Sequence, residues 1–326
     1  MKPRSLLLLM GLFSLLFGCG GSDGPYRQEN GVWYFRKDAL SLQKGETLTP
    51  LSKKFAKSTR TAYYESSTIA DGIDVATFEA LSDHYAKDRN SVWYCDTYRK
   101  GQEYFTVRHY STPRIAGADA PSFRMLDNVY ARDTNRVYRN GEGFEVRDIN
   151  TYERIGDQHA KDKISGYFMR AEIKGSDGST FAFVDGHYSK DAKHVFWSDY
   201  DSGKGAHKPV ELSLMLPGAD PASFAIITDS YAADANQVYY DGKVLSRVPA
   251  AFRVLENGYA VSDKSVFYRG DALKGADVAS FVVLTETVVG VTARDKHGQF
   301  NYEKRVQQCT RLRPSRACII RFAPSC

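Results

Sequence analysis

One pattern recurs along most of this 326-residue chain, and it constrains the fold more than any other feature does. Its clearest copy runs from Tyr231 to Leu245, YAADANQVYYDGKVL. In each copy a short strand is followed by an Asp/Asn/Lys turn, then by a β-branched and aromatic strand, and often by a Gly turn. Such self-similarity is typical of repeat proteins, in which each unit buries its apolar face against its neighbours.

A short apolar strand led by an aromatic residue marks about seven copies of this repeat. The leading residues are Phe78, Phe123, Tyr152, Phe181, Phe224, Phe252 and Phe281. Subtraction of successive positions gives spacings of 45, 29, 29, 43, 28 and 29. A base period near 29 with two insertions explains all six spacings.

An Asp lies four positions before this aromatic residue in six copies. These aspartates are Asp74, Asp119, Asp148, Asp177, Asp220 and Asp277. Pro221 follows one of them directly, and Asp before Pro is a typical helix start because the carboxylate accepts free backbone N–H groups. We therefore expect these residues to cap a single helical turn in each unit, and not to form a row of metal ligands.

The other half of the unit contains β-branched and aromatic residues such as Val92-Trp93-Tyr94, which half-buried strands prefer. Asn140-Gly141 and Asp241-Gly242 follow such strands, and both dipeptides favour tight hairpin turns. The sequence thus predicts three short strands and one helical turn per unit. The expected fold is all-β, with tandem antiparallel meanders in an elongated or curved array. A closed, propeller-like ring is the alternative.

Two copies carry a specific resemblance. DRNSVWY at Asp88–Tyr94 and DANQVYY at Asp234–Tyr240 resemble the repeat of the DKNYY family of bacterial exported proteins. The resemblance covers roughly residues 55–290, and Ser262 replaces the Asp in the last clear copy. It implies a protein of the bacterial envelope and transfers no catalytic residue to this chain.

Residues 1–18 are predicted to be a signal peptide, with Lys2 and Arg4 before an apolar run that is too short to span a bilayer. The run ends in LFGC, which resembles the lipobox of bacterial lipoproteins. This resemblance implies acylation of Cys19, a membrane anchor, and a flexible leash over residues 19–30. Gly20 after the Cys implies sorting to the outer membrane.

The predicted repeat domain spans residues 31–290, and residues 291–326 are expected to form a degenerate last unit and a basic, Cys-containing cap. Without the lipidated Cys19, four cysteines remain, namely Cys95, Cys309, Cys318 and Cys326. An even set in an exported chain predicts two disulfides, with three possible connectivities.

Charge and motifs argue against several function classes. The chain has 44 Lys and Arg against 39 Asp and Glu, and two of the basic residues lie in the signal peptide, so nucleic-acid binding is not indicated. His84 and His187 precede the repeat Tyr at equivalent positions, which indicates a repeat feature and not a metal site. No catalytic motif occurs, so we expect neither an enzyme nor a cofactor.

The two insertions are the best functional lead. They occupy about 95–112 and 198–214, and insertions on one face of a repeat protein often mark its binding face. The candidate binding residues are Tyr98, Tyr104, Phe105, Tyr110, Tyr200 and His207. The leading expectation is a non-enzymatic envelope lipoprotein that acts as an interaction or scaffold module for another envelope protein. The alternative is a carbohydrate- or peptidoglycan-binding module that uses outward-facing aromatic residues, although packing between units would also explain the repeated Tyr.

Overall fold

A computed structural model describes residues 24–69, 72–201, 210–228, 230–284 and 290–306. The chain forms two compact units, Met1–Gly143 and Phe144–Cys326. In the described ranges the regular structure consists of short strands and four 3₁₀ turns, and neighbouring strands pair antiparallel. The predicted all-β class of tandem meanders is therefore confirmed. No helix among these residues is long and apolar enough to cross a membrane.

The first unit contains four sheets and a separate hairpin. Its strands are β1 (Tyr26–Glu29), β2 (Val32–Phe35), β3 (Asp38–Ala39), β4 (Thr49–Pro50), β5 (Phe55–Lys57), β6 (Ala62–Tyr64), β7 (Ser67–Thr68), β8 (Glu79–Ala80), β9 (Tyr85–Lys87), β10 (Val92–Tyr94), β11 (Asp96–Tyr98), β12 (His109–Ser111), β13 (Arg124–Met125), β14 (Tyr130–Arg132), β15 (Val137–Arg139) and β16 (Glu142–Phe144). The sheets are β1–β3, β4–β7, β8–β10 and β13–β16, and the hairpin is β11–β12. A 3₁₀ turn lies at Gly101–Glu103.

The second unit contains five four-stranded sheets within its described residues. Its strands are β17 (Glu153–Arg154), β18 (His159–Lys161), β19 (Gly166–Phe168), β20 (Ala171–Glu172), β21 (Ala182–Asp185), β22 (Tyr188–Lys190), β23 (Val195–Asp201), β24 (Val210–Met215), β25 (Ala225–Ile226), β26 (Tyr231–Ala233), β27 (Val238–Tyr240), β28 (Lys243–Ser246), β29 (Arg253–Val254), β30 (Tyr259–Val261), β31 (Val266–Tyr268), β32 (Asp271–Ala272), β33 (Val282–Val283), β34 (Ala293–Asp295), β35 (Gly298–Asn301) and β36 (Lys304–Val306). Every sheet follows chain order. Its 3₁₀ turns are Pro249–Ala251, Glu256–Gly258 and Val278–Ser280.

The repeat has four strands in most copies, so the prediction of three strands per unit is wrong. The fourth strand pairs with the third after the tight turn, as β7 pairs with β6. Its sequence carries no signal because it is often only two residues long, as in β7, β20 and β32, and two residues show no alternation of polar and apolar side chains. The copy formed by β4–β7 also precedes the first copy that the sequence pattern indicates.

The aspartates that were predicted to cap a helical turn do cap the turn before the first strand of a repeat. The carboxylate of Asp277 accepts from the N–H of Ser280 at 3.0 Å, at the start of a 3₁₀ turn. Asp220 accepts from the N–H of Ala222 at 3.1 Å. The capping interpretation holds because these carboxylates are engaged by their own local backbone.

A second aspartate in each typical repeat is buried in the turn between the second and third strands. Asp133 is 1% exposed, and its Oδ1 accepts from the N–H groups of Asn135 and Arg136 at 2.7 and 2.8 Å. Its Oδ2 accepts from the N–H of Asp119 at 2.9 Å and from the Tyr138 hydroxyl at 2.6 Å. The backbone contacts recur at Asp88, Asp162, Asp191 and Asp234. The motif Asp therefore joins both halves of one repeat.

Neighbouring repeats are held together by an aromatic side chain and a glycine turn. A Cβ placed on Gly141 would lie 2.5 Å from Tyr94 of the preceding repeat, and one on Gly242 would lie 2.8 Å from Trp197. The Tyr85 hydroxyl also accepts from the N–H of Gly141 at 2.7 Å. The second aromatic residue of the third strand thus packs against the next turn, which supports packing and not an outward row of stacking platforms.

Candidate interaction arms

Both insertions lead out of the third strand of a repeat as β-hairpins. We call residues 95–112 arm 1 and residues 198–214 arm 2; arm 1 lies in the first unit and arm 2 in the second. Arm 1 contains β11 and β12, and Arg114 then returns to bridge Trp93 where a fourth strand would begin. Arm 2 is built by the extension of β23 and β24. The candidate residue His207 lies outside the described residues.

Arm 1 presents three of the predicted aromatic residues to solvent. Phe105 is 88% exposed, and Tyr98 and Tyr104 are about half exposed. The Tyr98 ring stacks on His109 with 5.1 Å between centroids, and the Tyr104 ring meets Phe105 edge to face at 5.2 Å. Exposed aromatic side chains on a short hairpin are costly to leave in water, and such residues are enriched at protein interfaces.

Tyr110, the fourth candidate in arm 1, has a different position. Its hydroxyl lies 2.8 Å from the Ser66 hydroxyl, and its ring packs against the core cluster that contains Trp93. Arg108 beside it donates to the carboxylate of Glu65 at 2.8 Å. Tyr110 and Arg108 therefore fix the base of arm 1 to the preceding repeat, and the exposed tip is formed by other residues.

Arm 2 has one face turned toward its neighbours and one toward solvent. Glu211 forms an ion pair with Arg170 of the preceding repeat at 2.8 Å, and both side chains are largely buried. On the opposite face of β24, Val210, Leu212 and Leu214 alternate and are exposed. Tyr200 is also exposed, 43% by area. Since β24 is the last strand of its sheet, this apolar row lies at a sheet edge.

A histidine lies at the root of each arm, outside the predicted set of site residues. His84 Nδ1 lies 2.8 Å from the carbonyl oxygen of Cys95, and His187 Nδ1 lies 2.6 Å from that of Ser198. Among the repeats that the structure describes, only those two have an arm, and only those two have His before the second-strand aromatic residue. This coincidence is present in the sequence, where the two histidines are easily mistaken for a general feature of the repeat.

Cys95 at the root of arm 1 is a free thiol in the described part of the chain. Its predicted disulfide stays a prediction, because the candidate partner cysteines are not among the described residues. The side chain is completely buried in the cluster of Phe55, Tyr64 and Trp93. Burial raises the pKa of the thiol well above its ordinary value. The thiol acts as a small apolar core residue. Cys309, Cys318 and Cys326 lie outside the described residues.

His159 is the most unusual titratable residue in the second unit. It occupies the position of the second-strand Tyr, is completely buried, and packs between Phe168 and Phe183. Neither ring nitrogen has a hydrogen-bond partner among the described residues. Burial, followed by the charges of His187 and Arg154, lowers its pKa to about 4. In the described part of the chain, no group of three or more His, Cys, Asp or Glu side chains could hold a metal ion.

The model of the DKNYY family matches residues 97–251. This part of the chain belongs to the DKNYY family. The matched range begins within arm 1, includes arm 2, and contains the buried aspartates Asp133, Asp162, Asp191 and Asp234. The DKNYY repeat is thus the four-stranded meander with its buried Asp. Comparisons with curated proteins and with solved structures find no match.

Proposed function

We propose that this DKNYY-family protein is a non-enzymatic lipoprotein of the bacterial envelope that acts as an interaction or scaffold module. The exposed aromatic tip of arm 1 carries this proposal. Phe105 is 88% exposed beside two half-exposed Tyr side chains, whereas the aromatic residues of the repeats themselves are largely buried. A protein partner that covers the tip would remove this apolar surface from water.

The repeats supply a rigid support for the arms in this proposal. A buried Asp ties most repeats internally, and Tyr94, Trp197 and Tyr240 each lie under the glycine turn of the following repeat. Binding residues on loops that a rigid scaffold positions are a common arrangement. The arms interrupt the repeat only at the connection between its third and fourth strands, so they can bind a partner without rearrangement of the core.

The proposed lipid anchor at Cys19 would place this scaffold on the outer membrane. The expected consequence is that Cys19→Ala releases the protein from the membrane fraction, because the acyl chains provide the anchoring energy. Full retention of the Cys19→Ala protein in washed membranes would contradict the anchor. This test is independent of the one for the arms.

Binding to cell-wall glycans is the second candidate function, and it now depends on the arms alone. Tyr98 exposes 47% of its surface while its ring stacks on His109, which leaves one face for a sugar ring. The packed positions of Tyr94 and Tyr240 under the next turn make them poor stacking platforms. A peptidoglycan partner would therefore contact the same arm 1 tip.

Site-specific photo-crosslinking in cells tests the proposal. A benzophenone amino acid replaces Phe105 in the arm 1 tip, and Val129, 38% exposed in a repeat without an arm, is the matched control position. We expect Phe105 to give a discrete crosslinked band with one envelope protein and Val129 to give none. A glycan adduct at Phe105 would favour the second candidate. Equal background labelling at both positions would overturn the proposal.

A further inference from the structure

The two arms begin in the same way, although they lie in different units. In repeats without an arm, the chain turns sharply after the third strand through a residue with positive φ. In five of these repeats the residue is Glu65, Asn140, Met169, Asp241 or Arg269, with φ between 44° and 52°. The N–H at this position donates to the carbonyl oxygen of the residue before the second-strand aromatic residue, as from Glu65 to Lys54 at 2.7 Å.

In the two arm-bearing repeats this backbone contact is kept while the turn is lost. The N–H of Cys95 donates to the His84 carbonyl at 2.7 Å, and that of Ser198 donates to the His187 carbonyl at 2.8 Å. Each histidine then adds a second contact, from Nδ1 to the carbonyl oxygen of the same Cys95 or Ser198. Because a carbonyl oxygen can only accept, Nδ1 carries the proton and donates.

The next residue in each arm is an aspartate that faces the same imidazole. The carboxylate of Asp96 lies 3.7 Å from His84 Nδ1, and that of Asp199 lies 3.8 Å from His187 Nδ1. Each ring also lies on the aromatic residue that ends the repeat strand, His84 on Tyr94 at 5.7 Å and His187 on Trp197 at 6.0 Å. The same histidine, carbonyl, carboxylate and aromatic group thus recur at both roots.

We propose that His84 and His187 are positioning residues that hold the arms in a fixed direction, and that protonation of their imidazoles tightens the arms. This inference rests on the proposed function in one respect, namely that the arms bind the partner. A proton added at Nε2 leaves the Nδ1 donor in place and makes it charge-assisted, and it gives the nearby aspartate an opposite charge. Binding through the arms is therefore stronger when the two imidazoles carry the added proton.

Other charged and titratable groups near the two rings are few within the described residues. Around His84 they are Asp96, the Tyr64 hydroxyl at 3.3 Å from Nδ1, Tyr94, whose ring stacks on the imidazole, and Lys54, whose Nζ contacts the Tyr64 hydroxyl at 3.3 Å. Around His187 they are Asp199, Asp241 and the buried His159, which interact with it electrostatically. Carboxylates are the direct charged neighbours of both rings, so the sign of the effect is the same at both roots.

Amide hydrogen exchange on the full chain without any partner tests this inference. After correction for intrinsic rates, we expect peptides in residues 96–111 and 210–215 to be more protected at pH 5.5 than at pH 7.5. His84→Phe keeps a ring on Tyr94 but removes the donor, so exchange in arm 1 should rise by about fivefold or more and lose its pH dependence. His187→Phe should do the same in arm 2 only.

Two further variants separate hydrogen bonding from charge and from general damage. His84→Asn retains a neutral N–H donor near Nδ1, so it should keep the protection seen at pH 7.5 and lose the gain at pH 5.5. Gln158→Ala, at the same position of a repeat without an arm, should leave both arms unchanged. Unaltered protection in His84→Phe and His187→Phe, or a retained pH gain in His84→Asn, would overturn the inference. Because no partner is present, these results do not depend on whether the arms bind one.

Discussion

The buried aspartate is the residue on which each repeat depends. Burial opposes the ionisation of Asp133, but hydrogen bonds from the Tyr138 hydroxyl and from backbone N–H groups outweigh it. The pKa of Asp133 therefore lies below its ordinary value. One carboxylate oxygen of Asp133 accepts from two backbone N–H groups of its own turn. The other accepts from the backbone N–H of Asp119 and from the Tyr138 hydroxyl. The side chain at this position must therefore accept four hydrogen bonds and donate none.

Substitutions of Asp133 should lower the unfolding free energy in an order that the size of the new side chain does not predict. Natural copies of the repeat carry Ser58 or Ser262 here, and those hydroxyls accept only from the turn. Asp133→Ser should therefore cost about 2 kcal/mol of unfolding free energy, whereas Asp133→Asn should cost about 3 kcal/mol because its amide N–H₂ faces the Asp119 N–H. Urea unfolding of the full chain, followed by tryptophan fluorescence, measures both. An Asn variant more stable than the Ser variant would contradict this role.

His159 gives the molecule a defined acid sensitivity. Its folded-state pKa of about 4 lies below the ordinary value of 6.5, so the unfolded chain binds the proton more readily. Stability is thus complete above pH 6.5 and is lost as the pH falls toward 4, by as much as about 3 kcal/mol. His159→Phe should abolish this part of the pH dependence, measured as the difference in urea midpoint from the wild type. His297→Gln, at an exposed position, should not; equal pH profiles for His159→Phe and wild type would reject the assignment.

At the scale of the element, the tight turn after the third strand joins one repeat to the preceding one. Gly141 has φ of +77° and lies against Tyr94, while Gly31 has φ of +78° and would have no atom within 4 Å of an added Cβ. Gly31→Ala should cost about 1 kcal/mol from backbone conformation alone. Gly141→Ala should cost about 2 kcal/mol more because Tyr94 must shift. Thermal unfolding of the two variants measures the difference, and equal losses would mean that the contact between repeats contributes nothing.

The repeat period, the capping Asp and the antiparallel strands could be predicted because each has a local signal. The fourth strand could not, since two-residue strands such as Ser67–Thr68 are defined by pairing and not by pattern. The capping role of Asp277 follows from its neighbours in sequence. The joint role of Asp133 does not, because its partner N–H lies 14 residues upstream.

The arms could be located from the sequence as insertions. Which of their residues are exposed and which pack against the repeats depends on contacts with residues that are distant in sequence. The sequence places Tyr110 beside Phe105 as a binding residue, yet its partner Ser66 lies 44 residues away. The even number of cysteines predicts a disulfide at Cys95, whereas its burial in a core of Phe55 and Trp93 is a property of the packed repeats. Neither fact has a signature within the arm.

At the scale of the whole molecule, the chain combines a uniform framework with two exceptions to it. Caps, buried aspartates and glycine turns stabilise the repeats of this framework. The two hairpins add exposed aromatic and aliphatic side chains, such as Phe105 and Leu212, that contribute nothing to it. Interaction is therefore assigned to the arms, and stability to the repeats.

Removal of both arms tests this assignment most directly. Residues 95–112 and 198–214 are each replaced by Asn-Gly, the turn that follows β15 in a repeat without an arm. This armless variant, otherwise the complete chain, is tagged, crosslinked in cells and purified beside the wild type and Gly31→Ala. We predict that the armless protein keeps its far-ultraviolet circular dichroism and its membrane fractionation but loses the crosslinked partner that the wild type and Gly31→Ala retain. Capture of the same partner by a folded armless protein would contradict the assignment of interaction to the arms.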